Sequence, residues 1–575
     1  MDEFAGTTKR RRRYRGIDRF GPFGHLAMVV VMAVALLPSA LRAPSEQQTT
    51  SAEFSPDAPP DESPESLFQS LRQARSSTAG AGVGEATQGE AGGGEDAAAP
   101  LSPLSPLSPL SPPTVPPESP PERKPSKSKC FGGRVSESLY AAPCVPAYTG
   151  DNGGATARGV TPTEVFVGIA GIAGNNDPEG PIPVEPRDGE SAIVRTLRVY
   201  QSYLNARYEF YGRTVRLVIV KGNGQVAATK LADQYEVFAA VGDNATGEGV
   251  VDQLVARKVV TIGYIADQFP GKALERDFPY RWGWAMDGTR LMRHLSGLIC
   301  RQLWQKKAVW AGDPLLQGQE RRFAFAFIDD DNYRSTSPDL KGFLKDECGA
   351  QLALEVPMKT LTGRDELATM MTQFRQANIT TVVWANAWTA SVAAANAAEA
   401  QAYHPEWLLT GIGAQDQNGL ARLHNPAQWK SAFGITGLEI ERAPEEKDGY
   451  VAYKSMEPDE EPNAGVVDRV YGSLLQIVNG IHLAGPNLTP DSFGQGMFAM
   501  PRRDNDPPST LGGGYGTGDL SYADDVAVMW WDPTATDRAG GAGAYKHVPT
   551  ATRFDVGEIP RQPLPFFTEG QSQPG

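Results

Sequence analysis

Short runs of apolar residues alternate with amphipathic segments along most of the chain after residue 159. The runs carry Val, Ile, Leu and Ala at successive positions, which is typical of strands that are buried on both faces of a sheet. Between the runs, apolar residues recur every three or four positions, for example at Ile193, Leu197, Tyr200 and Leu204, and this spacing predicts helices. Strands that alternate with single helices predict an α/β fold built on parallel sheets.

The first predicted strand, 165–170, lies between two stretches rich in Gly, Asn and Asp, at 150–161 and 171–176. Glycines at the end of a strand allow backbone N–H groups to approach a ligand because glycine has no side chain. The same pattern is typical of a plain turn, strand and turn. The pattern alone leaves both interpretations open.

The alternation is interrupted at 265–285, a segment that contains Trp282 and Trp284, and then restarts. We interpret this segment as a crossing between two lobes, in which the tryptophans either line a cleft or pack in the hinge. An apolar run at 435–440 is predicted to return the chain to the first lobe, ahead of a long apolar helix at 466–483. The predicted lobes comprise 159–285 with 432–500, and 286–431 with 501–559.

The N-terminal part of the chain has a different character. A basic run at 9–15 precedes the segment 21–41, which contains no Asp, Glu, Lys or Arg. Such a segment inserts into a membrane with its basic end in the cytoplasm. Its apolar core has the length of a signal-peptide core, and with its flanks it approaches the roughly 20 residues that span a bilayer. We predict a basic cytoplasmic segment at 1–20 and either a transmembrane anchor or a cleaved signal peptide at 21–43.

Residues 44–129 consist mainly of Pro, Ser, Ala, Gly and Glu. Such a composition cannot bury enough apolar surface to offset the entropy of ordering, so we predict a disordered linker. A lead-in at 130–158 precedes the first lobe, and a disordered tail is predicted at 560–575. The folded part is therefore expected outside the cell, either as the extracellular domain of a single-pass membrane protein or as a secreted protein.

The chain has four cysteines. An even number of cysteines in an exported chain predicts disulfides. We predict that Cys130 pairs with Cys144, closing a small loop in the lead-in, and that Cys300 pairs with Cys348, linking two successive helices. A zinc site is disfavoured because no pair has the tight two-residue spacing typical of such sites.

Charge and motifs exclude several functions. The net charge is −14 and the isoelectric point is about 5.1, which argues against a nucleic-acid partner, whose phosphates require a basic face. The sequence has neither a G-x-S-x-G nor an H-E-x-x-H motif, so we expect no catalytic residues, no enzyme activity, no cofactor and no metal site. The acidic run at 329–331 lacks the alternating ligands and closing Glu of a calcium loop, which favours a solvated turn.

The sequence GDNGGAT at 150–156, the GVT at 159–161 before the first strand, the order of the lobes and the long returning helix resemble a known family. The part from Cys130 to Ile559 is similar to type I periplasmic binding proteins of the leucine/isoleucine/valine-binding group, in their secreted actinobacterial branch. These are substrate-binding proteins of ABC transporters. The resemblance implies two Rossmann-like lobes with parallel sheets, joined by a hinge of three crossings, that close around a ligand.

The resemblance also implies that loops at the carboxyl ends of strands in both lobes hold the ligand, as is general for open α/β sheets. Tyr333 and Trp388, at positions where the family often has aromatic residues, would give the ligand apolar contact with little loss of side-chain entropy. Thr246 or the backbone beside it would bind a carboxylate. The residues at the matching positions are Asp243, Asn244, Ala245, Thr246, Tyr264 and Ala266 in the first lobe, and Tyr333, Trp388 and Asp416 in the second.

One departure from the family pattern affects the solute. Amino-acid binders have an acidic residue just after the strand that here ends at Thr410, where it pairs with the ammonium group. This chain has Gly411-Ile412-Gly413-Ala414-Gln415 at that place, so the acid is missing or displaced to Asp416. The expected solute is an amino acid or a related small polar or amphipathic molecule.

The resemblance therefore predicts the extracytoplasmic substrate-binding component of an ABC transporter, with a small-molecule solute and an ABC permease as partners and membrane contact through the N-terminal segment. The displaced acid also motivates an alternative. In that alternative, the protein is a membrane-anchored receptor or scaffold of the same fold that binds a protein or cell-wall partner without transport.

Overall fold

The computed structural model describes residues 130–222, 224–242, 249–263, 269–359, 363–538 and 540–568. The predicted cytoplasmic segment, the anchor or signal peptide and the linker, 1–129, lie outside the described residues. Among the residues described, none of the helices is both long enough and apolar enough to cross a bilayer.

The first lobe is built on a sheet in which six strands of the described chain take part, in the order β2-β3-β1-β4-β5-β6. Strands β3, β1, β4, β5 and β6 are parallel, and β2 is antiparallel to β3. Every residue of β4, β5 and β6 is buried, as predicted for strands covered on both faces. The strands are β1 (Glu164–Ile169), β2 (Gly180–Pro181), β3 (Thr214–Ile219), β4 (Ala239–Gly242), β5 (Val260–Gly263) and β6 (Arg281–Gly283).

Helices connect these strands. The predicted helix around Leu197 is confirmed: Ser191 caps it by accepting a hydrogen bond from the Val194 N–H at 3.2 Å, and its apolar face is buried. A Ser at this position satisfies a backbone N–H that has no partner inside the helix. The helices are α1 (Ala192–Arg207), α2 (Gly224–Thr229), which continues as a π-helical turn (Lys230–Gln234), α3 (Val250–Ala256) and α4 (Gly271–Arg276).

The second lobe is built on a sheet that contains eight strands of the described chain. Seven follow the order β13-β12-β11-β10-β9-β7-β8, and β14 pairs with β12. Strands β7 to β11 are parallel, whereas β12, β13 and β14 are antiparallel to their neighbours. The strands are β7 (Phe323–Ile328), β8 (Leu352–Met358), β9 (Thr381–Ala385), β10 (Glu406–Leu409), β11 (Ala432–Thr436), β12 (Val526–Thr536), β13 (Ala542–His547) and β14 (Arg553–Phe554).

Further helices cover the second sheet and then return to the first. The helix that ends at Leu298 continues as a π-helical turn (Ile299–Leu303). Those of the second lobe are α5 (Gly288–Leu298), α6 (Pro314–Gln317), α7 (Thr336–Glu347), α8 (Arg364–Gln376), α9 (Trp388–Ala400), α10 (Asn418–Ala421) and α11 (Pro426–Trp429). Those after the return are α12 (Asp448–Lys454), α13 (Ala464–Arg469), α14 (Tyr471–Ala484) and α15 (Pro490–Phe498).

Three local predictions were wrong. The apolar run at 308–311, whose pattern predicts a strand, forms a turn instead, in which Ala308 and Ala311 are buried. The segment 265–285 was interpreted as a crossing, but it contains helix α4 and strand β6 of the first lobe, in agreement with the predicted end of that lobe at residue 285. The long helix at 466–483 is divided at Val470 into α13 and α14, and it ends at Gly485 in the left-handed conformation that favours glycine.

The placement of β11 is also a correction. The run at 435–440 was predicted to rejoin the first lobe, but β11 lies in the second sheet between β10 and β12, with Phe433 opposite Trp530. A strand that is apolar on both faces fits either sheet by its pattern, and pairing with β12 decides its place. The chain therefore leaves the second lobe only after Thr436.

The disordered tail was predicted to begin too early in the chain, at residue 560. Residues 560–568 pack on the second lobe, where Phe566 and Phe567 lie 4.9 and 5.5 Å from the Trp310 ring. Leu564 and Phe566 are buried. Two neighbouring phenylalanines in a short polar segment were the available signal for this packing.

Both predicted disulfides are confirmed: Cys130 is bonded to Cys144 and Cys300 to Cys348. Cys300 lies in the π-helical turn after α5 and Cys348 directly follows α7, so the second bridge links the ends of two helices that are separated in sequence by the short helix α6, rather than two successive helices.

The described chain crosses between the lobes after β6, after β11 and before β12. The first and third crossings run side by side, since the Gly283 N–H donates to the Leu520 carbonyl at 2.8 Å and the Tyr522 N–H donates to the Gly283 carbonyl at 3.1 Å. Trp282 packs on Tyr515 and Trp284 on Tyr522, and both tyrosines belong to the segment before β12 that forms the third crossing. Both tryptophans therefore belong to the packing around the hinge.

Candidate functional site

Three of the predicted ligand residues follow neighbouring strands of the second sheet. Tyr333 comes after β7, Trp388 after β9 and Asp416 after β10, and these strands are adjacent and parallel. The carboxyl ends of parallel strands lie at one edge of a sheet. The fold thus brings the three loops to the same edge of the second lobe.

The loop after β7 is an internally bonded turn. The Asp330 carboxylate accepts hydrogen bonds from the backbone N–H groups of Asn332 and Tyr333 at 2.9 and 3.0 Å. Burial raises the pKa of Asp330 despite these bonds. The carboxylate is used to shape the turn, in agreement with the turn interpretation of 329–331.

Tyr333 lies at the boundary between the lobes. Its ring is 5.3 Å from the ring of Phe269, which belongs to the first lobe between β5 and α4, and only 8% of Tyr333 is exposed. An aromatic residue at this point makes a large apolar contact with little loss of side-chain entropy.

Asn332, beside Tyr333, makes a polar bridge between the lobes that the sequence did not reveal. Its side-chain N–H group lies 3.0 Å from both carboxylate oxygens of Asp252 on α3, and its carbonyl oxygen accepts from Arg276 of α4 at 2.9 Å. Arg281 of β6 holds the same Asp252 carboxylate at 2.5 Å. The loop after β7 is therefore hydrogen-bonded to charged groups of the first lobe.

The loops after β9 and β10 are fastened to each other. The Trp388 N–H, in the first turn of α9, donates to the Gly413 carbonyl at 3.0 Å. Gly413 has a φ of +87°, and a Cβ at this position would lie 2.1 Å from the Asn386 carbonyl oxygen. Only glycine fits this approach. The Trp388 ring is half-buried beside this junction.

Asp416 is buried on the same edge, with 8% of its surface exposed. The Thr436 hydroxyl donates to one carboxylate oxygen at 2.6 Å, while the other oxygen has no hydrogen-bond partner within the described part of the chain. Burial raises the pKa of this carboxyl to about 6, with the Thr436 hydrogen bond acting in the opposite direction.

Gln415, next to it, was not predicted as a site residue. Its amide nitrogen donates to the Asn386 carbonyl and its own backbone carbonyl accepts from the Tyr545 hydroxyl at 2.6 Å. The side-chain oxygen of Gln415 also lacks a partner in the ranges that the structure describes. Buried acceptor atoms are usually hydrogen-bonded. Asp416 and Gln415 are exceptions, because each carries one buried acceptor atom without a partner in the described residues. Both atoms are therefore available to a donor.

The first-lobe candidates, Asp243, Asn244, Ala245, Thr246, Tyr264 and Ala266, lie outside the described residues. The strands before them are described: β4 ends at Gly242 and β5 at Gly263, and these two residues are register partners. Asp252, in the first turn of α3 after the first loop, and Phe269, directly after the second loop, reach the second lobe. The glycine-rich loop after β1 behaves as a turn, because the Gly174 N–H is bonded to the Asp177 carboxylate at 2.7 Å.

A cavity of about 430 Å³ lies elsewhere, beside the hinge. It is lined by the second crossing, by the irregular segment before β12 and by the end of β13, rather than by the loops after β7, β9 and β10. Residues of these three parts include Ile440, Arg442, Thr510, Lys546 and His547.

A sequence profile for periplasmic binding proteins matches residues 186–529. The chain belongs to this periplasmic binding protein family, and the resemblance to type I periplasmic binding proteins is confirmed. No curated protein matches the chain in sequence.

Solved structures of substrate-binding proteins are similar in fold. The fatty acid ABC transporter substrate-binding protein from Thermomonospora curvata shares 17% identity over 72% of this chain and 99% of its own, with a TM-score of 0.46. The leucine-, isoleucine-, valine-, threonine- and alanine-binding protein from Brucella ovis shares 12% over 69% and 96%, with a TM-score of 0.44. A solute-binding protein from R. palustris in complex with 4-hydroxybenzoate shares 12% over 69% and 98%, with a TM-score of 0.46.

Proposed function

We propose that this protein is the extracytoplasmic substrate-binding component of an ABC transporter, which closes its lobes around an amino acid or a related small polar or amphipathic solute. Membership of the periplasmic binding protein family supports solute binding in general. The observation that carries the proposal is the position of Asn332 and Tyr333, which follow β7 and meet Asp252 and Phe269 beside the two first-lobe loops.

The proposed contacts divide by chemistry. Tyr333, Trp388 and Tyr264 supply aromatic surface for the apolar part of the solute. The acceptor atoms of Asp416 and Gln415 fit an ammonium, amide or hydroxyl group, because an acceptor needs a donor. Hydrogen bonding to a carboxylate is assigned to the first-lobe loop that contains Asp243, Asn244, Ala245 and Thr246, and Ala266 is proposed as a further contact from the loop after β5.

The solute would then pass to an ABC permease. This requires the folded part to lie on the outer side of the membrane, either attached through 21–43 or released after cleavage there. We propose no catalytic role for the protein.

A second candidate is a receptor or scaffold that binds a protein or cell-wall partner without transport. One observation favours it. Amino-acid binders have an acid directly after the strand, whereas here Asp416 lies farther along the loop and is buried against Thr436.

A thermal-shift screen of the purified protein tests the first proposal. Amino acids, fatty acids, aromatic carboxylates and short peptides are added in turn, and the correct class raises Tm because it binds only the folded state. A solute at about 100 times its Kd stabilises the protein by about 2.7 kcal/mol. Trp388→Ala should abolish the shift, whereas Tyr148→Ala, far from the proposed site, should keep it. Binding of a protein or glycan partner without a shift for any solute would favour the receptor.

A further inference from the structure

The lead-in segment is fastened tightly to the first lobe. The Asn479 side chain of α14 accepts from the Ala142 N–H at 2.9 Å and donates to the Tyr140 carbonyl at 2.8 Å. His482, one turn later, is hydrogen-bonded to the Pro143 carbonyl at 3.1 Å. The Cys130–Cys144 bond closes the loop that contains these residues. The loop therefore has a fixed position on one lobe.

From this position, the loop inserts the Tyr140 side chain between all three crossings, and only 3% of the residue is exposed. The ring is edge-on to Trp284 of the first crossing, with centroids 5.0 Å apart. Its hydroxyl donates to the Glu439 carboxylate of the second crossing. The same oxygen accepts from the Leu511 N–H of the third at 3.0 Å.

Neighbouring charges reinforce this arrangement. Arg442, two positions beyond Ile440 in the second crossing, pairs with Glu439 at 3.0 Å and with Asp448 at 3.3 Å. The Ser138 hydroxyl of the lead-in also donates to Asp448. Burial is the main cause that raises the pKa of Tyr140 well above its ordinary value, so the phenol remains a neutral donor.

Hinge closure in two-lobe proteins changes the backbone angles of a few crossing residues. A side chain that contacts every crossing resists such changes, because moving one crossing against another breaks a contact or hydrogen bond of the same ring. The crossings are also joined in pairs, by backbone bonds such as those of Gly283 and by the contact of Trp284 with Tyr522, whereas the Tyr140 side chain contacts all three.

We propose that the disulfide-closed loop 130–144 is a hinge brace, which holds the three crossings together through Tyr140 and sets the resting angle of the lobes. The proposal deepens the proposed function, since it assigns a control of closure to a segment outside the ligand cleft. Its test needs no solute, so its failure and the failure of the proposed function can be told apart.

Residue-resolved hydrogen exchange of the solute-free protein tests the brace with Tyr140→Phe, which keeps the ring and removes the hydroxyl. Loss of one hydrogen bond should speed exchange at the Leu511 amide roughly tenfold. The brace predicts faster exchange also at Ile440 and Tyr522, whose amides are not bonded to Tyr140. Acceleration confined to Leu511 would show a local bond and overturn the proposal.

Two comparisons complete the test. Tyr148→Ala removes another lead-in ring, which packs on Tyr211 of the first lobe and contacts no crossing residue in the described structure, and it should leave the crossing amides unchanged. The double variant Cys130→Ser/Cys144→Ser should accelerate the crossing amides and broaden the distribution of lobe separations in small-angle X-ray scattering. The variant Cys300→Ser/Cys348→Ser, within one lobe, should do neither. Equal effects of the two double variants would contradict the brace.

Discussion

At the scale of single residues, the loops of the second lobe depend on a glycine and a buried acid. Gly413 allows the loop after β10 to touch the start of α9, and Asp416 keeps one carboxylate oxygen without a partner in the described structure. Both features have consequences that stability measurements reveal without knowledge of the solute.

Gly413→Ala should destabilise the protein, because alanine is strained at a φ of +87° and its Cβ would meet the Asn386 carbonyl. The backbone strain alone costs about 1–3 kcal/mol. The matched control is Gly419→Ala, where a Cβ meets nothing within 4 Å. Urea unfolding of both variants measures the difference, and equal midpoints would contradict this account of the loop.

Asp416→Asn should change how stability depends on pH. Because the pKa of Asp416 is raised to about 6 in the folded state and is about 4 when unfolded, the folded protein holds the proton more tightly. The contribution of Asp416 to the stability of the folded protein is therefore greatest below about pH 4 and is lost as the pH rises through about 6. The variant removes this loss, which amounts to at most about 3 kcal/mol.

Urea unfolding at about pH 4.5 and about pH 7.5, on either side of the folded-state pKa, checks this prediction. The difference in unfolding free energy between the Asp416→Asn variant and the natural protein should favour the variant more at the higher pH than at the lower. Asp331→Asn is the control, since this carboxylate is 84% exposed. A constant difference across the two pH values would show that Asp416 does not titrate in this window.

At the scale of elements, a buried ion pair holds β10 in place. Arg321, just before β7, lies 2.8 and 2.9 Å from the two carboxylate oxygens of Glu406, the first residue of β10, and both side chains are at most 2% exposed. The Thr381 hydroxyl of β9 donates to the same carboxylate at 2.7 Å. Thus one acid ties together two adjacent strands and the segment entering a third.

Glu406→Ala should cost about 3–5 kcal/mol, because it leaves the Arg321 charge buried without its partner. Asp331→Ala, which removes the partner of exposed Arg334, should cost less than about 1 kcal/mol. Chemical denaturation measures both variants. A small loss for Glu406→Ala would mean that water or another group satisfies Arg321.

The pattern of apolar positions predicted most strands and helices but not always where they end or which sheet they join. Leu197 and its neighbours on α1 were predicted correctly because their spacing is a local property. The break at Val470 and the pairing of β11 with β12 were missed, since each depends on residues distant in sequence. The positions of Tyr333, Trp388 and Asp416 agree with the prediction that these residues lie in loops at the carboxyl ends of strands, and their contact with solute stays a prediction.

At the scale of the whole molecule, the Asn332–Asp252 contact joins the lobes through residues other than those that Tyr140 contacts in the crossings. Asn332→Ala removes both bonds to Asp252 and the bond from Arg276. We expect the solute-free protein to become more open, with a larger radius of gyration in small-angle scattering. Asp331→Asn, one position earlier and exposed, should leave it unchanged. An unchanged radius for Asn332→Ala would show that this bridge does not influence the lobe angle.

The sequence by itself determined the class of fold, the two disulfide pairs and the loops in which to look for a ligand site. The fold class follows from local periodicity and the presence of disulfides from the even number of cysteines, whereas the ligand loops follow from the resemblance to periplasmic binding proteins. Only the tertiary structure decided that β11 stays in the second lobe, that Asn332 reaches Asp252 and that Tyr140 enters the hinge. The physical reason is that strands apolar on both faces are equivalent until they compete for partners, and a polar or aromatic side chain acquires its role only when distant segments pack around it.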